Sequence, residues 1–149
     1  MKHIELDMKD LYVLIEESFK NNQSVIFKIR GTSMFPLLKD QKDSVKLEKI
    51  KTTPSKRDIV LYKRDNGQFV LHRIIKVKKG LFTMCGDNQY KKEKNIKEEQ
   101  ILGIVTSIIK NDKEIILSKS KKYRLYSWFW CLNLFVRRVI LKIIRIFSK

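Results

Sequence analysis

The apolar positions of this chain follow one period, then a second, and end in a third pattern. Over residues 7–20, Leu11, Leu14, Ile15 and Phe19 recur at helical spacing, with Asp7 placed to cap the helix and Asn21-Asn22 to stop it. From Val25 the period drops to two. Val25, Phe27 and Ile29 alternate with polar or charged neighbours, as in a half-buried strand. Short strands are expected from there to residue 117. Ser44–Glu48 is one, and Ile59–Lys63 and Phe69–Lys78 form a hairpin across Asp65-Asn66-Gly67, where Asn-Gly accepts positive φ. Lys79-Gly80 turns into Leu81–Cys85, residues 86–99 read as a polar loop, and Ile101–Lys110 meets 114–117 around Asn111-Asp112. These strands are too short and too closely joined for a parallel α/β sheet. The expected fold is mainly β: a compact domain over residues 1–120 with a short N-terminal helix, followed by a C-terminal amphipathic helix over 121–149.

The third pattern belongs to that C-terminal segment, which has no acidic residue and both tryptophans. Residues 125–136 carry no formal charge, but twelve residues are too few to span a hydrocarbon core of about 30 Å. Extension to Phe147 would bury Arg137, Arg138, Lys142 and Arg145, a large cost for a spanning helix. On a helix, Arg138, Lys142, Arg145 and Lys149 line one stripe, and apolar residues fill much of the remainder. Tyr126, Trp128 and Trp130 are rings suited to headgroup level. The segment therefore reads as an interfacial helix on an anionic membrane surface; the competing reading is a helix packed on the β domain or on a partner subunit. Residues 1–20 hold no long apolar run, so the chain is expected in the cytoplasm, peripheral on the inner face of the cytoplasmic membrane.

Composition narrows the partners. With 33 basic against 16 acidic residues the formal charge is +17, which attracts any polyanion. Outside the C-terminus the basic residues are scattered, and neither an aromatic-basic stretch nor a groove-reading helix is present, so nucleic acid is not the expected partner. Cys85 and Cys131 form no CxxC pair, and two histidines make no metal cluster. Neither a metal nor another cofactor is expected.

Three segments carry chemistry. Gly31-Thr32-Ser33-Met34-Phe35-Pro36 follows a strand, Val70-Leu71-His72-Arg73-Ile74-Ile75 lies within one, and Met84-Cys85-Gly86-Asp87-Asn88 ends a third. Each alone is more often a turn or a half-buried side chain. Together they offer a hydroxyl, a base to activate it and a carboxylate to orient the base, the three chemistries a serine nucleophile needs.

At this point the chain resembles the S24/S26 superfamily, which unites type I signal peptidases with LexA-like self-cleaving repressors. GTSMFP, KRDIVLY, LHRII and CGDN look like its boxes, in order, over about residues 24–106. The resemblance implies a LexA/signal-peptidase-like β domain with Ser33 as nucleophile. His72 stands at the base position, as in the histidine branch of the superfamily. The chain is also similar to short S24/S26 peptidases of Bacteroides-type bacteria, including their Trp-rich, basic ending. For the orienting acid, Asp87 fits the Gly-Asp box and is preferred, while Glu93 is the alternative. Signal peptidases often carry an oxyanion-hole serine where this chain has Gly31, so the hole is expected from backbone N–H groups around Gly31 and Ser33. Cys85 reads as a buried small hydrophobe.

The reading that follows is a serine endopeptidase acting in trans on a peptide or protein precursor. The alternative is a self-cleaving or non-enzymatic LexA-like regulator. Repressors of that kind cut an Ala-Gly or Cys-Gly bond upstream of the serine; this chain has no alanine, and Cys85-Gly86 lies within the boxes.

Overall fold

A computed structural model describes residues 8–148. Helix α1 spans Met8–Lys20 and buries Leu11, Ile15 and Phe19, while Leu14 lies on its outer side. Asp7, the expected cap, lies outside the described residues. Eight strands follow: β1 (Val25–Lys28), β2 (Ser44–Glu48), β3 (Ile59–Lys63), β4 (Phe69–Lys78), β5 (Leu81–Cys85), β6 (Glu93–Lys97), β7 (Ile101–Lys110) and β8 (Lys113–Ile116). They form one antiparallel sheet in the order β1-β2-β7-β3-β4-β5-β6. Along one edge β7 pairs with β2; the other edge is shared end to end by β3 and β8.

Strand β3 explains how the apolar residues divide. Its run Ile59-Val60-Leu61-Tyr62 is buried on both faces, and neighbouring strand residues point to opposite sides. Ile59 and Leu61 join a core with α1, Val45, Leu47, Val105 and Ile108. Val60 and Tyr62 join a second core with Ile74, Phe82, Met84 and Ile96.

Two expectations change. Residues 86–99 are not all loop: Glu93–Lys97 forms β6 and pairs with the edge of β5. Only Ile96 of that strand is buried, so backbone pairing rather than an apolar alternation makes it, and the apolar pattern carries no sign of it. The C-terminal segment is two helices, not one: α2 (Lys121–Leu132) and α3 (Leu134–Phe147). Asn133 is extended between them, and its side chain accepts a hydrogen bond from the Phe135 N–H at 2.8 Å, which starts α3 afresh.

Neither helix stands free of the β domain. Arg73 on β4 and Asp87 just past β5 are fully buried and meet in a two-pronged ion pair, Nε and Nη2 each 2.8 Å from a carboxylate oxygen. Tyr126 of α2 donates to the same carboxylate at 2.9 Å, and Tyr123 accepts from Arg73 at 3.0 Å. Trp130 donates from its indole to the Asp87 carbonyl at 2.9 Å. From α3, the buried Arg137 donates to the Gly86 carbonyl at 3.0 Å and the Trp130 carbonyl at 2.9 Å.

A buried guanidinium deprived of its counter-charge keeps the desolvation cost without the compensating attraction. Asp87→Asn should therefore lower unfolding stability by about 3–5 kcal/mol, measured by urea denaturation. A variant within about 1 kcal/mol of wild type would show that the carbonyl and phenol partners alone satisfy Arg73.

Candidate active site

Ser33 is half-buried in the turn after β1. The turn opens at Gly31, whose φ of +86° suits glycine, and Gly31 N–H donates to Asp40 Oδ1 at 2.7 Å. Met34 and Leu38 anchor it in the first core. Its far end is held by Asp43, which accepts from the Lys39 N–H at 2.8 Å and pairs with Lys110 at 3.2 Å. Across the site, the Asn88 N–H donates to the Ser33 carbonyl at 2.9 Å, and the Asn88 side-chain amide donates to the Thr32 carbonyl at 3.0 Å. The serine turn is thus tied to the segment that follows β5.

His72 comes from the middle of β4 and is 2% exposed. Gly86 is where the three segments meet. A Cβ placed on Gly86 would lie 2.7 Å from the Ser33 carbonyl oxygen and 3.1 Å from His72 Cδ2, so only glycine permits this approach. The Cδ2 side of the imidazole therefore faces Gly86.

The other edge meets a polar chain. The Tyr62 hydroxyl lies 3.3 Å from His72 Nδ1 and donates to Glu93 Oε2 at 2.8 Å. With its proton given to Glu93, the Tyr62 oxygen is free to accept from Nδ1–H, which leaves Nε2 as the unprotonated nitrogen. Glu93 Oε1 is itself 3.8 Å from Nδ1. Arg64 grips the carboxylate from outside, through Nε to Oε2 at 3.0 Å and through Nη2 to Oε1.

Electrostatics follow the same geometry. Burial pushes His72 down to about 4, against an upward pull from Glu93, so the ring is neutral at pH 7. Burial alone would raise the Glu93 carboxyl, but hydrogen bonds from Arg64 and Tyr62 outweigh it and hold the group below its ordinary value. Burial, then the Glu93 carboxylate, drives the Tyr62 phenol well up, so it remains a donor. Burial also raises both cysteine thiols; Cys85 is fully buried and carries no thiolate reactivity.

Ser33, through its carbonyl, and His72, through its Cδ2, both lie against Gly86. Asp87 is not brought to the imidazole, and the expectation that it orients His72 is corrected. His72 and Arg73 are neighbours on β4 and point to opposite faces; Asp87 lies on the Arg73 side, with both oxygens held there by Arg73 and Tyr126. The carboxylate on the Nδ1 side belongs to Glu93, the alternative acid. Gly31 is corrected too, because its N–H is occupied by Asp40. Among the described residues no hydrogen-bond acceptor meets the Ser33 N–H, nor those of Thr32 and Met34, so the turn offers several unoccupied donors.

The ring residues expected at headgroup level divide. Trp128 is exposed, whereas Trp130 is 4% exposed and Tyr126 is half-buried, both bonded to Asp87. Each carries a polar group that a buried site can satisfy, so the rings face the domain. Arg138, Lys142 and Arg145 are exposed; Arg138 lies over the Tyr90 ring and Arg145 donates to Asn88 Oδ1 at 3.0 Å.

Sequence reasoning missed Tyr62, Arg64 and Arg137. Tyr62 left one signal, a phenol in the middle of a fully apolar strand, which needs a buried hydrogen-bond partner. Arg64 and Arg137 are single cations among many and left none.

The sequence profile of a family described as Peptidase S24-like matches residues 2–107, spanning the serine turn, the histidine strand and the loop after β5. No curated protein matches the chain significantly. The family unites serine peptidases with LexA-like self-cleaving regulators and includes non-catalytic members. With the profile covering most of the chain, and a mainly β domain placing Ser33 and His72 on either side of Gly86, this protein belongs to the Peptidase S24-like family.

Proposed function

We propose that the protein is a serine endopeptidase that cleaves a peptide or protein precursor in trans, with Ser33 as nucleophile and His72 as general base. The observation that carries this reading is the placement of the imidazole. Its Nδ1 edge is engaged by the Tyr62–Glu93 pair, and its Cδ2 side lies against Gly86, which also borders the Ser33 carbonyl. A serine hydroxyl is a poor nucleophile at neutral pH unless a neutral, correctly oriented base takes its proton.

In the first half-reaction, Nε2 accepts the Ser33 proton as Oγ attacks the scissile carbonyl carbon. The resulting oxyanion takes a hydrogen bond from the Ser33 N–H, an unoccupied donor of the turn. The imidazolium, stabilised through Tyr62 by the Glu93 carboxylate, returns that proton to the leaving amine as the C–N bond breaks. Water then attacks the acyl-enzyme, its proton passes to Nε2 and on to Ser33 Oγ, and the carboxylic acid departs. Glu93 and Tyr62 act here as positioning residues. Arg64 keeps Glu93 ionised and turned inward. Cleavage in trans rather than in cis is supported by the absence of alanine and by the position of Cys85-Gly86, which follows the serine within the boxes rather than preceding it.

Purified Ser33→Ala and His72→Ala should each lose on the order of 10⁴-fold or more in turnover of a peptide substrate, with circular dichroism unchanged. Wild-type turnover by either folded variant would remove that residue from the mechanism.

Glu93→Gln and Tyr62→Phe should each reduce kcat by about 10²-fold, with a smaller effect on KM, since they act on the base and not on the substrate. If both keep full kcat, Ser33 and His72 operate as a simple dyad.

The pH dependence has a defined sign. Native His72 titrates at about 4 against 6.5 in the unfolded chain, so the base is present above pH 4 and is lost as pH falls through it. In steady-state assays kcat/KM should stay level from pH 8 to about 5 and fall below that, rather than near 6.5. The unfolded chain binds the proton first, so the same group costs about 3 kcal/mol of stability as pH drops from 6.5 to 4. An acid limb at 6.5 would mean that the ring is more hydrated than its burial implies.

A further inference from the structure

The C-terminal helices have two unlike sides. The inner side holds the segment after β5 through Tyr126, Trp130, Arg137 and Arg145. The outer side is apolar. Among the described residues, ten of the seventeen exposed large hydrophobics lie on α2 and α3. Phe135, Ile146 and Phe147 are 71%, 70% and 83% exposed, values far outside what scattered surface apolar residues require.

Helical geometry separates the chemistry of α3 into sectors. At 100° per residue, Arg137 and Leu141 share the buried face, while Phe135, Val139 and Ile146 lie opposite them. Arg138, Lys142 and Arg145 occupy the sector between. On α2 the exposed sector holds Leu125, Trp128 and Leu132. Neither helix, nor any other among the described residues, is long and apolar enough to cross a membrane. The fourteen residues of α3 reach about 21 Å, short of a hydrocarbon core of about 30 Å.

Charge decides what covers this face. Residues 121–149 contain eight lysines and arginines and no acidic residue. Beside the elbow at Asn133, a groove of about 690 Å³ runs between the sheet and the helices, lined by Lys76, Lys78, Lys79, Lys92 and Lys94 and closed by Leu132. A large apolar sector rimmed by cations fits a surface that is negative outside and hydrocarbon beneath. A second copy of this chain would bring the same positive rim against itself.

We propose that α2 and α3 seat the protein on an anionic membrane surface, the outer apolar sector among the acyl chains and Arg138, Lys142 and the lysine groove at the headgroups. Burial of apolar area together with a cationic rim supplies the two attractions that stable peripheral binding needs. The seat is independent of catalysis. Where it meets the peptidase reading, it narrows the substrate to precursors presented close to a membrane, because the inner side of the same helices grips the loop that faces Ser33 and His72.

The test is co-sedimentation of the full chain with phosphatidylglycerol–phosphatidylcholine vesicles and with pure phosphatidylcholine vesicles, at low and high salt. Strong binding to the anionic vesicles is expected, about tenfold or more weaker on neutral ones, with partial release in high salt. Phe135→Glu/Ile146→Glu and Arg138→Glu/Lys142→Glu should each weaken binding about tenfold or more, without changing the thermal transition, since all four side chains are exposed. No binding to anionic vesicles at low salt overturns the proposal, as does equal binding to both lipids. A dimer in sedimentation equilibrium that Phe135→Glu dissociates would give the face to a second copy instead. Vesicle binding by a protein inert toward peptides removes the peptidase reading alone; peptidase activity in a protein that ignores vesicles removes the membrane seat alone.

Discussion

Arg73 and Asp87 form the contact on which the remaining arrangement depends. Both are fully buried, and a guanidinium withdrawn from water is tolerated only where its charge and most of its donors are met. Two bonds to Asp87, one to the Arg57 carbonyl and one to Tyr123 meet that demand. Satisfying it fixes the segment after β5 against β4, and Gly86, one residue earlier, is thereby set between the serine turn and the imidazole. The same carboxylate accepts Tyr126, so the sheet, the loop and the first C-terminal helix converge on one ion pair.

On the other face of β4 a different constraint operates. His72 is withdrawn from water with the Glu93 carboxylate 3.8 Å from Nδ1, and burial outweighs that pull and keeps it neutral. A neutral imidazole is the form that accepts a proton. The tautomer is set by the Tyr62 hydroxyl, whose own proton is committed to a carboxylate pinned by Arg64. One strand thus carries a structural cation and the proposed base at consecutive positions, insulated from each other by the pleat of the sheet.

Arg137 extends this logic to the last helix. It is buried with no carboxylate bonded to it, and it caps the Gly86, Gln89 and Trp130 carbonyls while lying over the Trp130 ring. Carbonyl oxygens carry enough partial negative charge to solvate a guanidinium when several converge, and the ring face adds to them. The C-terminal helices are therefore a brace on the loop that faces the site.

By itself the sequence determined whatever depends on local periodicity and turn chemistry. The helix before β1, the β3–β4 hairpin with its Asn-Gly turn, and β7 were legible because burial of one face imposes a period. Ser33 and His72 were legible because a hydroxyl and a base on neighbouring β segments, within boxes resembling a known superfamily, are uncommon together. The partner of each buried polar group was decided only in three dimensions. Asp87 and Glu93 are both acids following β5, and nothing in their spacing states which face of β4 each will meet. The pleat sends Arg73 to one and His72 to the other side, and β6, a strand held by backbone pairing, delivers Glu93 to the imidazole side. Likewise the C-terminal pattern showed cations and apolar residues at helical spacing but not the break at Asn133. On an unbroken helix Tyr126, Trp130 and Arg137 would share one face but spread over about 16 Å along its axis; the break at Asn133 falls between the first two and the third, and all three bond to the segment after β5.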